Sequence, residues 1–339
     1  MTSFAQLDLL FVVRDMGPLE MIGPIIEQCA QKKLIVEVLA EEPAYGVIRA
    51  RHHVTPIVCN ERTMGDISGY LRTPRPQAVV VGCSSPINFE LKFALVAQDL
   101  KIPVVVVSDI HGAWKRIPNL AEPRVLVADE KDAAAVRHAG FDASVVGYRQ
   151  AVLPESSLET EAAVAKMRRV GKRVVLFASS GQPSRFRQEL ECVLASSAMT
   201  PDKHVLVHQP NKKILAQQHP EGGTWGAWIE RTLPPGVVRL EGPVVRYADM
   251  TISPSSSCMR AAAGGKIGVG LRVRTVEDVL LRETGVTDEL NFYENELGMP
   301  ILREPQSLSR FFNDGPSRVS VQPFDAELAL MKIRAFADV

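Results

Sequence analysis

Short apolar runs, each followed by a stretch of helical character, recur along this chain and constrain its fold more than any other feature. Leu7–Val13 (LDLLFVV) is almost continuously apolar, as are Leu34–Leu39 (LIVEVL), Ala78–Val81, Val104–Val107 (VVVV), Arg124–Val127 and Ala143–Val146. A strand with one wet face alternates apolar and polar residues, whereas an unbroken run marks a strand covered on both faces. Helices are expected over Pro18–Gln31, Asn88–Gln98 and Glu130–Ala139, with Pro18 suited to a first turn. Strands alternating with helices imply a parallel, doubly wound sheet.

The rhythm breaks once. Leu153–Thr160 (LPESSLET) is polar and carries Pro and Ser, so it reads as a linker between domains. A second series follows, with strands expected at Arg173–Phe177, His204–Val207, Val237–Leu240, Met250–Ile252 and Ile267–Val269. Its helices are expected near Ser184–Ser197, Ser257–Ala263 and Val276–Glu283. The expected fold class is therefore α/β, two Rossmann-like parallel-sheet domains over 1–152 and 161–323, facing each other across a cleft. The last stretch, Phe324–Phe336, has the apolar period of an amphipathic helix and is expected to cross back to the first domain.

A length of 339 residues suits two domains. Lys+Arg and Asp+Glu balance at 39 each, so no global field draws the protein to nucleic acid or anionic lipid, and neither partner is expected. The five cysteines are scattered without a C-x-x-C pair, which points to reduced thiols in the cytoplasm rather than a disulfide frame or zinc site. No signal peptide or membrane-spanning run is visible, and no spacing of metal ligands.

In doubly wound sheets ligands bind beyond the carboxyl ends of the strands. The loop after Met250–Ile252 runs Ser253-Pro254-Ser255-Ser256-Ser257 into a small-residue helix. Backbone N–H groups, hydroxyls and a helix N-terminus converging on one spot suit an anion such as a diphosphate, while the same serines would also serve as a plain cap. Ser180, Gly181 and Arg185 follow Arg173–Phe177, as a phosphate loop or a flexible turn. His208 follows His204–Val207, on the nucleotide side or as a buried imidazole. In the first series, Ser108-Asp109-Ile110-His111-Gly112 offers a carboxylate and an imidazole two residues apart. Either could act as a general base, or both as a cap and its neighbour. Asp15, in the turn Arg14-Asp15-Met16-Gly17, is the next candidate base, and Gly82-Cys83-Ser84-Ser85-Pro86 is a further small-residue loop. The chain has no G-x-G-x-x-G turn with its acidic partner, no P-loop and no G-x-S-x-G elbow.

Tyr247-Ala248-Asp249, an apolar strand, Ser255–Ser257, a small-residue helix and Gly264-Gly265-Lys266 follow one another as in the donor-diphosphate segment of a known superfamily. The chain resembles the GT-B superfamily, meaning glycosyltransferases and the non-hydrolysing UDP-N-acetylglucosamine 2-epimerases. Gly270–Asp278 resembles the epimerases' next stretch, Gly82-Cys83-Ser84 stands where they have Gly-Asp-Thr, and Ser108–Gly112 where they have a Glu-Ala-Gly turn. Three departures weigh against epimerase chemistry. Cys83 replaces the catalytic Asp, Ser180-Gly181-Gln182-Pro183 replaces His-Arg-Arg-Glu, and the ribose-binding glutamates fall near Arg260 and Ala261.

The resemblance implies a metal-independent, cofactor-free glycosyltransferase of surface-glycan or glycoprotein synthesis. It would take a nucleotide-sugar donor, UDP-type first, and a glycan or protein acceptor. Ser255–Ser257 would stabilise the leaving diphosphate, and His111 or Asp109 would deprotonate the acceptor. A nucleotide-sugar epimerase or hydrolase, a non-catalytic nucleotide-binding subunit and a small-ligand binder without nucleotide preference remain as alternatives.

Overall fold

The computed structural model describes residues 7–51, 55–58, 63–84, 89–117, 119–151, 153, 157–169, 171–179, 183–199, 204–210, 215, 217–240, 243–273, 289–316, 319 and 321–337. The chain divides into two units: Met1–Arg149 together with Gln322–Val339, and Gln150–Val321.

In the first unit a seven-stranded, all-parallel sheet is built from β1 (Leu9–Val13), β2 (Val36–Ala40), β3 (Ile57–Val58), β4 (Ala78–Gly82), β5 (Val104–Val107), β6 (Arg124–Val127) and β7 (Asp142–Val145). Their order is β3-β2-β1-β4-β5-β6-β7, so the winding reverses between β1 and β4. The apolar runs are explained by two-sided burial. Leu10 and Val12 enter one core layer, while Leu9, Phe11 and Val13 enter the layer on the opposite face. Each such side chain contributes roughly 1.5–3 kcal/mol of transfer free energy. Helix α1 (Met16–Gln31) covers β1 with Leu19, Ile22, Ile25 and Ile26. It starts two residues before the expected Pro18.

The second unit repeats the plan with six parallel strands: β8 (Arg173–Ala178), β9 (His204–Gln209), β10 (Val238–Arg239), β11 (Met250–Ser253), β12 (Ile267–Leu271) and β13 (Ile301–Leu302). Their order, β10-β9-β8-β11-β12-β13, reverses between β8 and β11. Both sheets are purely parallel, as the alternating pattern implied. The short strands β3 and β13 escape notice in the sequence, whereas the equally short β10 lies within the expected Val237–Leu240. The helix expected over Val276–Glu283 lies outside the described residues.

Two features depart from simple sequence order. Leu158–Arg169 is helical, so the polar segment read as a linker runs directly into a helix. The end of the chain returns to the first unit: the helix Ala326–Ala337 buries Ala329, Leu330 and Ile333 in the same layer as α1, and Lys32 Nζ meets Glu327 Oε1 at 2.8 Å. The returning segment is pinned through its backbone. Tyr148 N–H donates to the Gln322 carbonyl at 2.8 Å, Phe324 N–H to the Tyr148 carbonyl at 3.1 Å, and Asp325 N–H to the Val146 carbonyl at 2.8 Å. Gly147, at φ 88°, permits this approach, because a Cβ there would overlap the Pro323 carbonyl. Among the described residues no helix is long and apolar enough to cross a membrane.

Candidate functional site

The carboxyl ends of β1, β4 and β5, at the reversal point of the first sheet, gather a dense set of ionisable groups. β1 delivers Arg14 and Asp15. Asp15 sits at the N-cap position of α1 in extended backbone, its carboxylate 3.8 Å from Arg14 Nε and about a quarter exposed. β4 delivers Cys83 and Ser84, both buried. Behind them lies Glu90, fully buried in the first turn of helix α4 (Phe89–Asp99). Glu90 ties the two strand ends together: its Oε1 accepts the Arg14 N–H at 3.1 Å and the Ser84 hydroxyl, whose oxygen in turn accepts the Asp15 N–H at 3.1 Å. Burial pushes the Glu90 carboxyl up to about 7, against the pull of the Ser84 and backbone hydrogen bonds.

β5 delivers Asp109 and His111, and the structure separates them. Asp109 is 5% exposed, its Oδ2 3.6 Å from Arg149 Nη2, and its carboxylate lies so close to Gly17 that a Cβ there would overlap it. Burial raises its pKa, opposed by Arg149 and Arg116. His111 is half-buried and turns instead toward Asp132 of helix α5 (Glu130–His138), with 3.9 Å between Nδ1 and Oδ1. Asp132 Oδ1 also accepts the Trp114 indole N–H at 3.0 Å and the Gly112 N–H at 3.2 Å. Although they stand two residues apart, Asp109 faces Arg149 and His111 faces Asp132. Of the two bases expected from β5, His111 is the accessible one. Arg116 completes the rim by donating to the Cys83 carbonyl at 3.0 Å.

The corresponding ends in the second unit carry hydroxyls instead of carboxylates. Ser253 Oγ, at the end of β11, donates to the Ala178 carbonyl of β8 at 2.9 Å and accepts the Ser255 N–H at 3.2 Å. One hydroxyl thus fastens the two strands flanking the reversal point. Ser255 is exposed, Ser256 and Ser257 are half-buried, and a short helix runs from Ser257 to Ala263. The Ser256 side chain makes no capping hydrogen bond, so a plain serine cap does not account for it. Arg185 stands in the first turn of helix α7 (Pro183–Ala198) and is 7% exposed. Ser180 and Gly181 lie outside the described residues.

Of the two forms expected for His208, a nucleotide-side residue or a buried imidazole, it takes the second. It is fully buried and packed against Phe177 and Phe186 at ring distances of 5.3 and 5.5 Å, with Nε2 3.2 Å from the Ser179 hydroxyl. Burial, then the Arg239 charge, lowers its pKa to about 4. A neutral core imidazole is no partner for a phosphate.

Glu90, Asp132, Arg116 and Arg149 were not legible as site residues. Glu90 and Arg116 stand four residues past the loops Gly82–Pro86 and Ser108–Gly112, in the next helical turns, and Asp132 and Arg149 lie farther along, so no loop motif includes them. Among the described residues no cluster of three or more His, Cys, Asp or Glu is placed to hold a metal ion.

No family model and no curated protein matches the chain. Solved structures do, over nearly its full length. The UDP-GlcNAc 2-epimerase from Methanocaldococcus jannaschii is 12% identical, with a TM-score of 0.66 over 98% of this chain and 100% of that one. S. aureus MnaA, in a co-structure with UDP, is 13% identical, with a TM-score of 0.66 over 98% and 97%. The calicheamicin glycosyltransferase CalG4 is 13% identical, with a TM-score of 0.61 over 99% of both chains. The two parallel sheets and this full-length similarity show that the chain has the GT-B-like fold shared by UDP-GlcNAc 2-epimerases and GT-B glycosyltransferases.

Proposed function

We propose that this chain is a glycosyltransferase that moves a sugar from a nucleoside diphosphate donor to a hydroxyl of a glycan or protein acceptor. The observation that carries the reading is the accessible His111 imidazole at the end of β5, with the buried Asp132 carboxylate 3.9 Å behind it. An imidazole at a strand end is suited to general acid–base work on a substrate hydroxyl. In this reading His111 takes the acceptor's hydroxyl proton as the oxygen bonds to the anomeric carbon and the bond to the diphosphate breaks. Ser255, Ser256 and Ser257 meet the charge that develops on the leaving diphosphate with N–H and hydroxyl donors. Arg185, and Ser180 and Gly181 ahead of it in the sequence, are the further donors proposed for the nucleotide. Asp109, sealed by Arg149, supports the site rather than exchanging protons with substrate. Asp15, a quarter exposed, is the reserve base.

A second reading, a nucleotide-sugar epimerase or hydrolase with rearranged acid–base groups, is favoured by Glu90. Its carboxyl, pushed up to about 7, could hold or release a proton in the physiological range. Cys83, which the resemblance sets where the epimerases have Asp, counts against it. Burial raises this thiol well above its ordinary value, so it supplies no anion.

Thermal unfolding with UDP, GDP, CDP, CMP and dTDP tests the nucleotide half of the reading. A nucleotide at a hundred times its dissociation constant stabilises the fold by about 2.7 kcal/mol, and failure of all five removes it. UDP or an epimerised sugar released from UDP-N-acetylglucosamine without acceptor, at a rate that no glycan or protein acceptor raises, favours the second reading.

A further inference from the structure

The geometry points to a second anion site, one for free phosphate or a small phosphate monoester, at the amino edge of the second unit's sheet. A cavity of about 240 Å³ opens there, lined by Arg173, Asp249, Lys266, Ile267 and Phe312 together with small residues. Arg173 is the first residue of β8, while Asp249 and Lys266 stand immediately before β11 and β12. These strands are parallel, so the cavity lies at the opposite edge of the sheet from Ser255–Ser257, which follow the carboxyl end of β11. Lys266, grouped by the resemblance with the donor-diphosphate segment, therefore belongs to the other end of the sheet from the serines.

The charges of the cavity do not cancel. Asp249 is the one carboxylate among its lining residues, and its oxygens are all engaged. Oδ1 accepts from Arg168 Nη2 at 2.7 Å, Oδ2 accepts the Val174 N–H at 2.8 Å, and the backbone carbonyl accepts the Ile267 N–H at 3.3 Å. Arg168 thus answers the Asp249 charge. The Lys266 side chain has no hydrogen-bond or ion-pair partner among the described residues, and that of Arg173 meets only the Phe312 ring. Two cations are left over.

Arg173 is nonetheless held in place. Its guanidinium lies over the Phe312 ring, 4.6 Å from the centroid, and Phe312 belongs to the helix Ser309–Asp314 and packs on the unit's core. Stacking occupies the face of the guanidinium and leaves its in-plane N–H fork for an oxyanion. Lys266 adds the compact charge of an ammonium. Two positive charges match a phosphate group, with its charge near −2, better than a single carboxylate. The cavity is smaller than the roughly 300–1,000 Å³ of pockets for drug-sized ligands. A monoester of a few carbons fills it, with the carbons against Ile267 and Phe312.

Equilibrium dialysis of the full chain against radiolabelled inorganic phosphate, with UDP at saturation, tests the site. One phosphate per chain is expected, bound roughly tenfold more weakly in Arg173→Gln and in Lys266→Gln and lost in the double variant. Arg173→Lys, which keeps the charge without the fork, is expected to fall between. Neither side chain has a polar partner in the fold, so the variants are expected to melt with the full chain. Glycerol 3-phosphate as competitor separates the two sources: displacement at a lower concentration than phosphate itself names the monoester, and at a higher one the free ion. Acetate competing as well as phosphate, binding that survives the double variant, or no binding overturns the proposal. The inference stands apart from the nucleotide reading. Phosphate that UDP displaces, or that only the double replacement of Ser256 and Ser257 by Ala abolishes, belongs to the serine loop, which upholds that reading and overturns this site. Should UDP not bind, the same variant series without it decides the site.

Discussion

The two units use one frame for opposite chemistries. Both wind a parallel sheet whose order reverses beside the first strand, β1 and β4 in one, β8 and β11 in the other. At the first reversal the strand ends and the helix behind them hold Asp15 and Glu90, with Asp109 and His111 after β5, Asp132 after β6, and Arg14, Arg116 and Arg149 among them. At the second they hold Ser253, Ser255, Ser256 and Ser257, backed by a neutral His208. One set can move protons, whereas the other can only donate hydrogen bonds to something negative. Strand order therefore dictates where a ligand can sit, and the loop residues alone dictate what it can be.

The sharpest way to break this division is His111→Ala. If the first unit handles the proton, turnover falls by roughly 10²- to 10⁴-fold while nucleotide affinity holds. An affinity loss of similar size, measured by nucleotide titration, would put the nucleotide in the wrong unit.

The units also differ in how they are closed, since only the first is completed by the chain's end. Gly147→Ala introduces both a left-handed strain and an overlap with the Pro323 carbonyl. It is expected to destabilise by roughly 2–4 kcal/mol, with denaturant unfolding as the measure. An unchanged midpoint would mean that the return of the last helix does not depend on this backbone seam.

Opposite pH slopes should separate the units as well. Glu90 folds as a neutral acid, so its contribution is full below its ordinary 4.5 and is lost as pH rises through about 7. His208 folds as a neutral base, so its contribution is full above its ordinary 6.5 and is lost as pH falls through about 4. Each is an effect of about 3 kcal/mol at most. Unfolding free energies between pH 4 and 8 should lose the alkaline decline in Glu90→Gln and the acid decline in His208→Gln. Unaltered slopes would show that water reaches these groups in the folded state.

The smallest expected effect sharpens the nucleotide half. Replacing both Ser256 and Ser257 by Ala leaves the backbone N–H donors in place, so only roughly 1–3 kcal/mol of nucleotide affinity should go. No change in affinity would leave the serines as simple loop formers.

Legibility along the chain followed the length of the periodic signal. The long runs at Leu9–Val13 and Val104–Val107 could be read because two-sided burial demands unbroken apolar sequence. Ile57–Val58 and Ile301–Leu302 could not, since two residues pair with a neighbour only after the sheet exists. His111 was legible as a candidate because its loop follows a clear strand. The carboxylate that faces it, Asp132, lies twenty-one positions along and is not marked by any motif. For His208 the sequence leaves a nucleotide-side residue and a buried imidazole both open, and only the packing of Phe177 and Phe186 around it decides for a core residue.

The sequence by itself determined the class of the fold and the loops that follow its strands, because apolar periodicity and turn composition are local and survive in one dimension. Tertiary structure decided which side chains meet and which of them water reaches. Those properties depend on strand order, and a parallel sheet brings together residues separated by tens of positions, as it does Arg14 with Glu90 and Asp109 with Arg149. Burial then sets the charge states, keeping His208 neutral and lifting Glu90 to about 7, through desolvation that no local stretch of sequence encodes.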